Sequence, residues 1–574
     1  MFHTLHPVLL ISTFVVNKIL PRTAQSSFYI VVATAMELAT EQLFPNSINK
    51  QVGGSNRTLQ EVLQIVLLGF SITCLILSGL FKSESDTDNK KPNNQIKNKN
   101  LILKYETREY KNNVKQYQIP VYCGKADQVA PLSNATSPLH LHVEQTLKLP
   151  TQDIYKPHFA KLMDDADKLS FTKNLFHVPE NITYMCGNSL GLQPKSLQAM
   201  LQNHLDKWAH VGVKGHFTGD YPWFEIEDFL VDKMARVVGA KPIEIGIMNT
   251  LTSNLHSLLT AFYNPTDTRY KILIEESPFP SDMHAITSHV LSRRINKSPE
   301  QVVIQVGAKP GSDIITTQDI LDTITQFKDE LSVVMLGAVH FMTGQFLDLE
   351  AITKHAHQYD IMVGFDCAHA AGNINLKLHD WNVDFACWCT YKYLNSGPGN
   401  IAGLFVHERH ADASMKELPR HGGWWGHARK TRFTLTNKFI PQRGAAGFQC
   451  SNPSVTDCLS LLSSLEIFDR AGIDALREKS VLLTDYLVLL LKAQKELVGE
   501  IEILTPSDVQ RRGCQVSVRV LKRDMDQVNK DLDSRGVVCD EREPDVIRIA
   551  PTPLYNTFQD VYRVVCEITK VFSK

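Results

Sequence analysis

Beyond about Asp153 the chain alternates between two spacings of apolar residues. One is helical. Between Ser196 and His210, the residues Leu197, Met200, Leu201, Leu205 and Trp208 recur three or four positions apart. The other is a series of short apolar runs: EIGIMN from Glu244, KILIE from Lys271, QVVIQV from Gln301, SVVMLGAVH from Ser332, IMVGFD from Ile361, DFACWC from Asp384 and AGLFVH from Ala402. Runs of this length with helical stretches between them predict an α/β sheet covered by helices on both faces. After about Asn452 the pattern changes to two long helical stretches. Shorter strands follow, such as CQVSVRV from Cys514 and VIRIA from Val546, and they predict a smaller α+β domain. The chain is therefore divided into an N-terminal extension (1–150), an arm (151–205), a large domain (206–445) and a small C-terminal domain (446–574). No internal repeat is visible.

The first 150 residues have a different character. Val62–Phe81 runs twenty residues without a charge, the length of a membrane-spanning helix. Its Gln, Ser, Thr and Gly make it only moderately apolar, so a buried helix or a tract that never inserts is the competing reading. Lys82, Lys90, Lys91, Lys97 and Lys99 follow it, against Lys50 and Arg57 before it. A single N-terminal anchor here would leave the rest of the chain in the cytoplasm by the positive-inside bias. The apolar run at Val8–Val16 has no Lys or Arg ahead of it and is a poor secretory signal. Residues 82–100, rich in Lys, Asn, Ser and Asp, read as a disordered linker. Residues 101–150 show no clear periodicity.

Composition narrows the function. A net charge of −1 offers no global basic field for nucleic acid. Eleven cysteines lie scattered without CxxC pairs, a pattern that favours reduced thiols. The 21 histidines include no HExxH or similar spacing, so no metal site is expected.

Candidate chemistry gathers in two segments, VGFDCAHAAG (Val363–Gly372) and FACWCTYKYLN (Phe385–Asn395). Each begins apolar and ends polar, delivering Asp366 and His369 from the first and Tyr391 and Lys392 from the second. Parallel sheets bind ligands at the carboxyl ends of their strands. A lysine there, with an aspartate from a neighbouring strand, suits pyridoxal phosphate: the lysine condenses with the aldehyde and the aspartate keeps the pyridine nitrogen protonated. A solvated loop lysine and a turn-forming aspartate would leave the same spacing.

The run FDCAHAAG, followed by LHDWNVDFACWCTYKYLNSGPG, resembles the kynureninases, pyridoxal-phosphate hydrolases of the aspartate-aminotransferase fold type. NSLGLQP from Asn188, Lys207–Trp208, KGH from Lys214, YPW from Tyr221, LTSNLH from Leu251, FPSD from Phe279, GWWGH from Gly423, CSNP from Cys450 and VIRIAPTPLYN from Val546 continue the resemblance in one order to the C-terminus. The resemblance implies a fold-type-I enzyme, its large sheet mostly parallel, that cleaves L-kynurenine and L-3-hydroxykynurenine to an anthranilate and L-alanine. That reaction belongs to tryptophan catabolism and supplies NAD biosynthesis. Within the same fold type, an aminotransferase or cysteine desulfurase would share the Asp–Lys pair, although no cysteine stands in an obvious active-site loop. A membrane-tethered scaffold without activity is the reading from a different class.

Roles follow residue by residue from the resemblance. Lys392, Asp366 and His369 are the catalytic group. Leu251, Thr252, Phe279, Pro280, Ser281, Asp282, Tyr391, Trp424 and Asn452 contact the cofactor, with Phe279 stacked on its ring and Tyr391 at its phosphate. Taken alone, Thr252 and Ser253 could equally cap a helix, and FPSD could be a turn. Ser189, His216, Asn452 and Arg548 bind substrate, Arg548 taking the α-carboxylate and His216 with Asn452 accommodating a 3-hydroxylated ring. Trp424 and Asn452 reach a partner subunit's site, which implies a homodimer with shared active sites. The chain departs from the pattern at Gly337 and Met342, where a serine and a tyrosine near the phosphate are expected. The N-terminal 150 residues have no counterpart in it.

Overall fold

The computed structural model describes residues 137–573, so the apolar stretch Val62–Phe81 and the linker 82–100 lie outside the described residues. In chain order the strands are β1 (Thr183–Tyr184), β2 (Ile245–Ile247), β3 (Lys271–Glu275), β4 (Val303–Val306), β5 (Leu331–Gly337), β6 (Met362–Asp366), β7 (Phe385–Trp388), β8 (Gly403–Val406), β9 (Ile501–Ile503), β10 (Val516–Val520), β11 (Val537–Val538), β12 (Asp540–Arg542) and β13 (Val546–Ile549). All seven apolar runs become strands of one sheet, ordered β2-β8-β7-β6-β5-β3-β4. The pairs from β4 through β7 are parallel, whereas β8 runs antiparallel to both β7 and β2.

The strands are nearly continuous in apolar residues because both faces are buried. Alternate residues enter separate cores. Leu273, Val334, Leu336, Ala386 and Phe405 join one cluster. Ile272, Ile274, Val333, Met335, Cys387 and Leu404 join another on the opposite face. The β6–β7 pair is fitted closely: a Cβ on Gly364 would lie 2.0 Å from the Phe385 ring, so only glycine suits that position.

A second sheet, β12-β13-β10-β9, is wholly antiparallel. The helices Ile473–Ala493 and Phe558–Phe572 pack with it into a third cluster. The helix Val455–Ala471 instead joins the first cluster through Leu461, Leu465 and Phe468. Residues 137–150, which show no periodicity, contain a short helix, Pro138–His142, whose Leu139 is buried in the small-sheet cluster. Five residues are too few for a period to be read. β1 pairs in parallel with β11, which ties the segment before Asn188 to the small domain. Among the described residues no helix is long and apolar enough to cross a membrane. Among the described residues eight cysteines carry free thiols, whereas Cys566 is disulfide-bonded, which departs from the expectation of reduced thiols.

Candidate active site

The carboxyl ends of β3, β5, β6 and β7 surround one cavity. It is lined by nine of the residues singled out from the sequence: Leu251, Thr252, Phe279, Ser281, Asp282, Asp366, His369, Tyr391 and Lys392. Asp366 closes β6 and lies beside Gly337 of β5 and Cys387 of β7 in register, so the parallel pairing brings these strand ends to one level.

Lys392 and His369 are in direct contact, Nζ to Nε2 at 2.9 Å. Burial, and then the neighbouring Lys392 charge, hold the His369 imidazole well below its ordinary pKa. It is therefore neutral beside the lysine. Its Nδ1 is buried without a partner. The Asp366 carboxylate accepts the Ala368 N–H at 2.7 Å. Burial raises its pKa, and the Ala368 N–H and Lys392 act against that rise. Burial and the Asp366 and Glu275 charges push Asp282 well up. Glu275 is raised to about 7, chiefly by burial.

At the opposite side two helices begin, Leu251–Phe262 and Pro280–Ser292. Neither is capped by a side chain; Thr252 and Ser253, which could have been caps, lie inside the first helix, and backbone N–H groups remain free at both starts. Thr252 Oγ1 and Ser281 Oγ meet at 2.7 Å between them. Asn249 takes left-handed backbone (φ 47°) to turn the chain from β2 into the first helix. Pro280 sits in the first turn of the second helix, where it has no N–H to lose, and it does not line the cavity. Phe279 stands over the cavity, its ring centre 5.9 Å from Lys392 Nζ.

These residues fit pyridoxal phosphate. Two uncapped helix starts with paired hydroxyls suit a phosphate dianion. A buried carboxylate whose burial disfavours its charge lacks the cation that a ring nitrogen provides. The buried, unpartnered atoms Asp282 Oδ1 and His369 Nδ1 belong to residues of the same cavity.

Besides Pro280, five of the site residues named from the sequence stand away from the lining. Arg548 is 1% exposed. It donates from Nη1 to the carbonyl of Phe341, a cavity residue, at 2.9 Å, and from Nη2 to Ser189 Oγ at 3.1 Å. Ser189 and Arg548 are thus together, one layer behind the cavity wall. His216 packs edge-on against Trp223, with ring centres 5.2 Å apart. Trp424 is 46% exposed and Asn452 is exposed.

The sequence reading missed four contributors. Glu275 ends the KILIE run as Asp366 ends IMVGFD, so the same signal was present. Its Oε2 accepts the Gly337 N–H at 3.1 Å. A Cβ on Gly337 would lie 2.8 Å from Glu275 Oε1, so a side chain there must displace this carboxylate. Phe341 lay in the GAVHFMTG segment without a role. Asp540 and Arg542 carried no sequence signal; both carboxylate oxygens of Asp540 are engaged, by Arg548 and Ser189 on one side and by Arg542 on the other.

Comparison with known proteins agrees with this geometry. Residues 476–568 match the kynureninase C-terminal domain family. A kynureninase of Myxococcus xanthus is 47% identical over 412 residues, which is 71% of this chain and 95% of the relative. One of Mus musculus is 43% identical over 462 residues, covering 76% and 98%. Among solved structures, a cystine C–S lyase superposes with a TM-score of 0.56 at 16% identity, covering 68% of this chain and 98% of the lyase. The cysteine desulfurase CsdA of Escherichia coli gives 0.55 at 15%, covering 71% and 98%. The last two establish the fold alone. With near-complete curated relatives aligned across the Asp366–Lys392 site and the small domain, this pyridoxal-phosphate enzyme belongs to the kynureninase family.

Proposed function

We propose that the chain hydrolyses L-kynurenine and L-3-hydroxykynurenine at the Cβ–Cγ bond, giving anthranilate or 3-hydroxyanthranilate and L-alanine. The observation that carries this reading is the 2.9 Å contact between Lys392 Nζ and a neutral His369, in a cavity floored by Asp366. Pyridoxal phosphate bound there supplies an aldehyde for an amine and a ring that draws electrons from the amino acid's α-carbon.

The chain's residues do the rest. Thr252 and Ser281, with the two helix starts, would hold the cofactor's phosphate, and Tyr391 would donate its hydroxyl to it. Phe279 covers the ring. Asp366 keeps the ring nitrogen protonated by charge. His369 Nε2 accepts a hydrogen bond from Lys392 and holds its amino group in place in the cavity. With its amino group free, Lys392 would be the base that takes the α-proton of the substrate. Water adds to the γ-carbonyl carbon, the Cβ–Cγ bond breaks so that this carbon leaves as the carboxyl of the anthranilate, and the electron pair left on Cβ takes up a proton to give the methyl group of L-alanine. Arg548 binds the α-carboxylate; its planar fork matches that group.

Trp424 and Asn452 act in the site of a second copy, and the enzyme is a homodimer. Supporting this, Phe217, Phe433 and Leu435 form large exposed apolar side chains in the region around Trp424, Leu435 being 80% exposed. The division into a large domain (206–445) and a small one (446–574) is supported by separate buried clusters, with the Val455–Ala471 helix contributing to the larger. The catalytic part is cytoplasmic, on the lysine excess that follows Val62–Phe81.

The test is direct. Full-length protein supplied with pyridoxal phosphate and L-kynurenine should release anthranilate and L-alanine in equal amounts. Release of sulfide from cysteine without kynurenine turnover would favour a desulfurase and overturn the reading. Light scattering of the purified enzyme should give the mass of two chains; a monomer with full activity would exclude the shared site.

A further inference from the structure

One arm of the fork assigned to the substrate carboxylate, Nη2, already holds a carboxylate, while the other, Nη1, donates to the Phe341 carbonyl. Asp540 of β12 and Arg548 of β13 are direct partners across an antiparallel ladder, so their side chains share a face by register. Arg548 Nη2 donates to Asp540 Oδ2, and Ser189 Oγ donates to the same oxygen. The other oxygen, Oδ1, accepts from Arg542 Nη1 at 2.7 Å. Arg542 lies two positions along the strand from Asp540 and is more exposed, with 35% of its side chain accessible against 1% for Arg548. Arg548 Nε is buried and has no partner.

Three physical points follow. A guanidinium this deeply buried needs an anion, since an unpaired buried charge is strongly destabilising. Asp540 provides it while no substrate is present. The cluster of two arginines and one aspartate keeps one net positive charge, the complement of a single α-carboxylate. And Asp540 has a second cation, Arg542, that can hold it when the Arg548 fork is taken.

We propose that Asp540 is an internal carboxylate that occupies the Arg548 fork until the substrate's α-carboxylate displaces it onto Arg542, so that Asp540 and Arg542 tune the enzyme's selectivity for amino acids. The proposal rests on the reading of Arg548 as the carboxylate site. Asp540 acts through Arg548 and is a positioning residue. Its negative charge competes with the substrate, and Arg542 draws that competitor away. The exchange involves no bond making and no proton transfer. Ser189 takes part in the same exchange, because its hydroxyl donates to whichever carboxylate occupies the fork.

The experiment compares L-kynurenine with its decarboxylated amine on the holoenzyme. Asp540→Asn keeps a hydrogen-bond acceptor for Arg548 but removes the competing charge. It should lower KM for L-kynurenine by roughly tenfold, with little change in kcat, and leave KM for the decarboxylated amine where it was. Arg542→Gln should do the reverse, raising KM for L-kynurenine by roughly tenfold and sparing the amine. An Asp540→Asn enzyme that weakens both substrates alike, or leaves both KM values unchanged, overturns the proposal. If Asp540→Asn does not fold, Arg542→Gln decides alone, and an unchanged ratio between the two substrates rejects the exchange. Arg548→Lys separates the underlying reading: if it fails to discriminate the two substrates, Arg548 is not the carboxylate site. If it does discriminate while Asp540→Asn does not tighten binding, only the role of Asp540 falls.

Discussion

The two halves of this site are built by different rules. In the large sheet, Asp366, His369 and Lys392 follow the ends of adjacent parallel strands, so each lies near the end of its own apolar run and all face one cavity. In the small domain, Arg548, Asp540 and Ser189 meet through antiparallel register and a distant segment tied in by β1. The first half gathers a nucleophile, a neutral imidazole and buried carboxylates, the parts for bond breaking. The second half gathers paired opposite charges, the parts for recognition. Changes in the first half should therefore damage turnover of every substrate, and changes in the second should depend on which groups the substrate carries.

The largest effect is expected at Lys392. Lys392→Ala should abolish anthranilate production, since no other amine is among the residues lining the cavity. Measurable steady-state turnover in that variant would dissolve the distinction between the halves. Asp366→Asn comes next. An amide cannot hold a ring nitrogen protonated by charge, so kcat should drop by several orders of magnitude, each factor of ten being about 1.4 kcal/mol of barrier. Circular dichroism should show an intact fold, because the Ala368 N–H can bond to an amide oxygen as well.

A smaller and selective loss is expected at Arg548. Removing a charge-assisted bidentate contact costs about 2–3 kcal/mol, roughly 30- to 200-fold in kcat/KM. Arg548→Lys keeps charge without the fork and should remain clearly impaired. The decarboxylated amine should be processed poorly by the wild type and little worse by Arg548→Ala. A large further loss with that amine would mean the arginine supports the fold instead. The smallest shift is expected at His216 and Asn452. Replacing both with larger groups that cannot hydrogen-bond should lower the kcat/KM ratio of 3-hydroxykynurenine to kynurenine, on the order of several-fold. Neither residue lines the cavity of its own chain. Mixed dimers of this double variant with Lys392→Ala should therefore report whether the two residues act across subunits: the intact Lys392 site then receives the partner's unaltered pair and keeps the wild-type ratio, and the lowered ratio of the double variant in the mixed enzyme would exclude that.

The same contrast explains what could be read before the structure. A buried parallel strand announces itself as an apolar run, and its last polar residue is a site candidate, as Asp366 was. Glu275 obeys the same rule, but Glu276 follows it directly, and a pair of consecutive glutamates looks like solvated charge. The reversal of β8 was not legible, since antiparallel and parallel edge pairing leave the same apolar pattern. Asp540 was hidden for another reason. DEREPD resembles a surface charge run, and only the register of β12 against β13 turns one of its acids toward a buried arginine. Gly337 was noted as a departure, but its consequence, room for the Glu275 carboxylate, required the neighbouring strand.

The account stands on Lys392 as the residue that carries the cofactor. Borohydride reduction of the full-length holoenzyme, followed by peptide mapping, tests this most directly. One lysine should be modified, within the Phe385–Asn395 segment and at Lys392, with loss of the visible absorbance band. Modification of a different lysine, or a bleached band with no modified lysine, would contradict it.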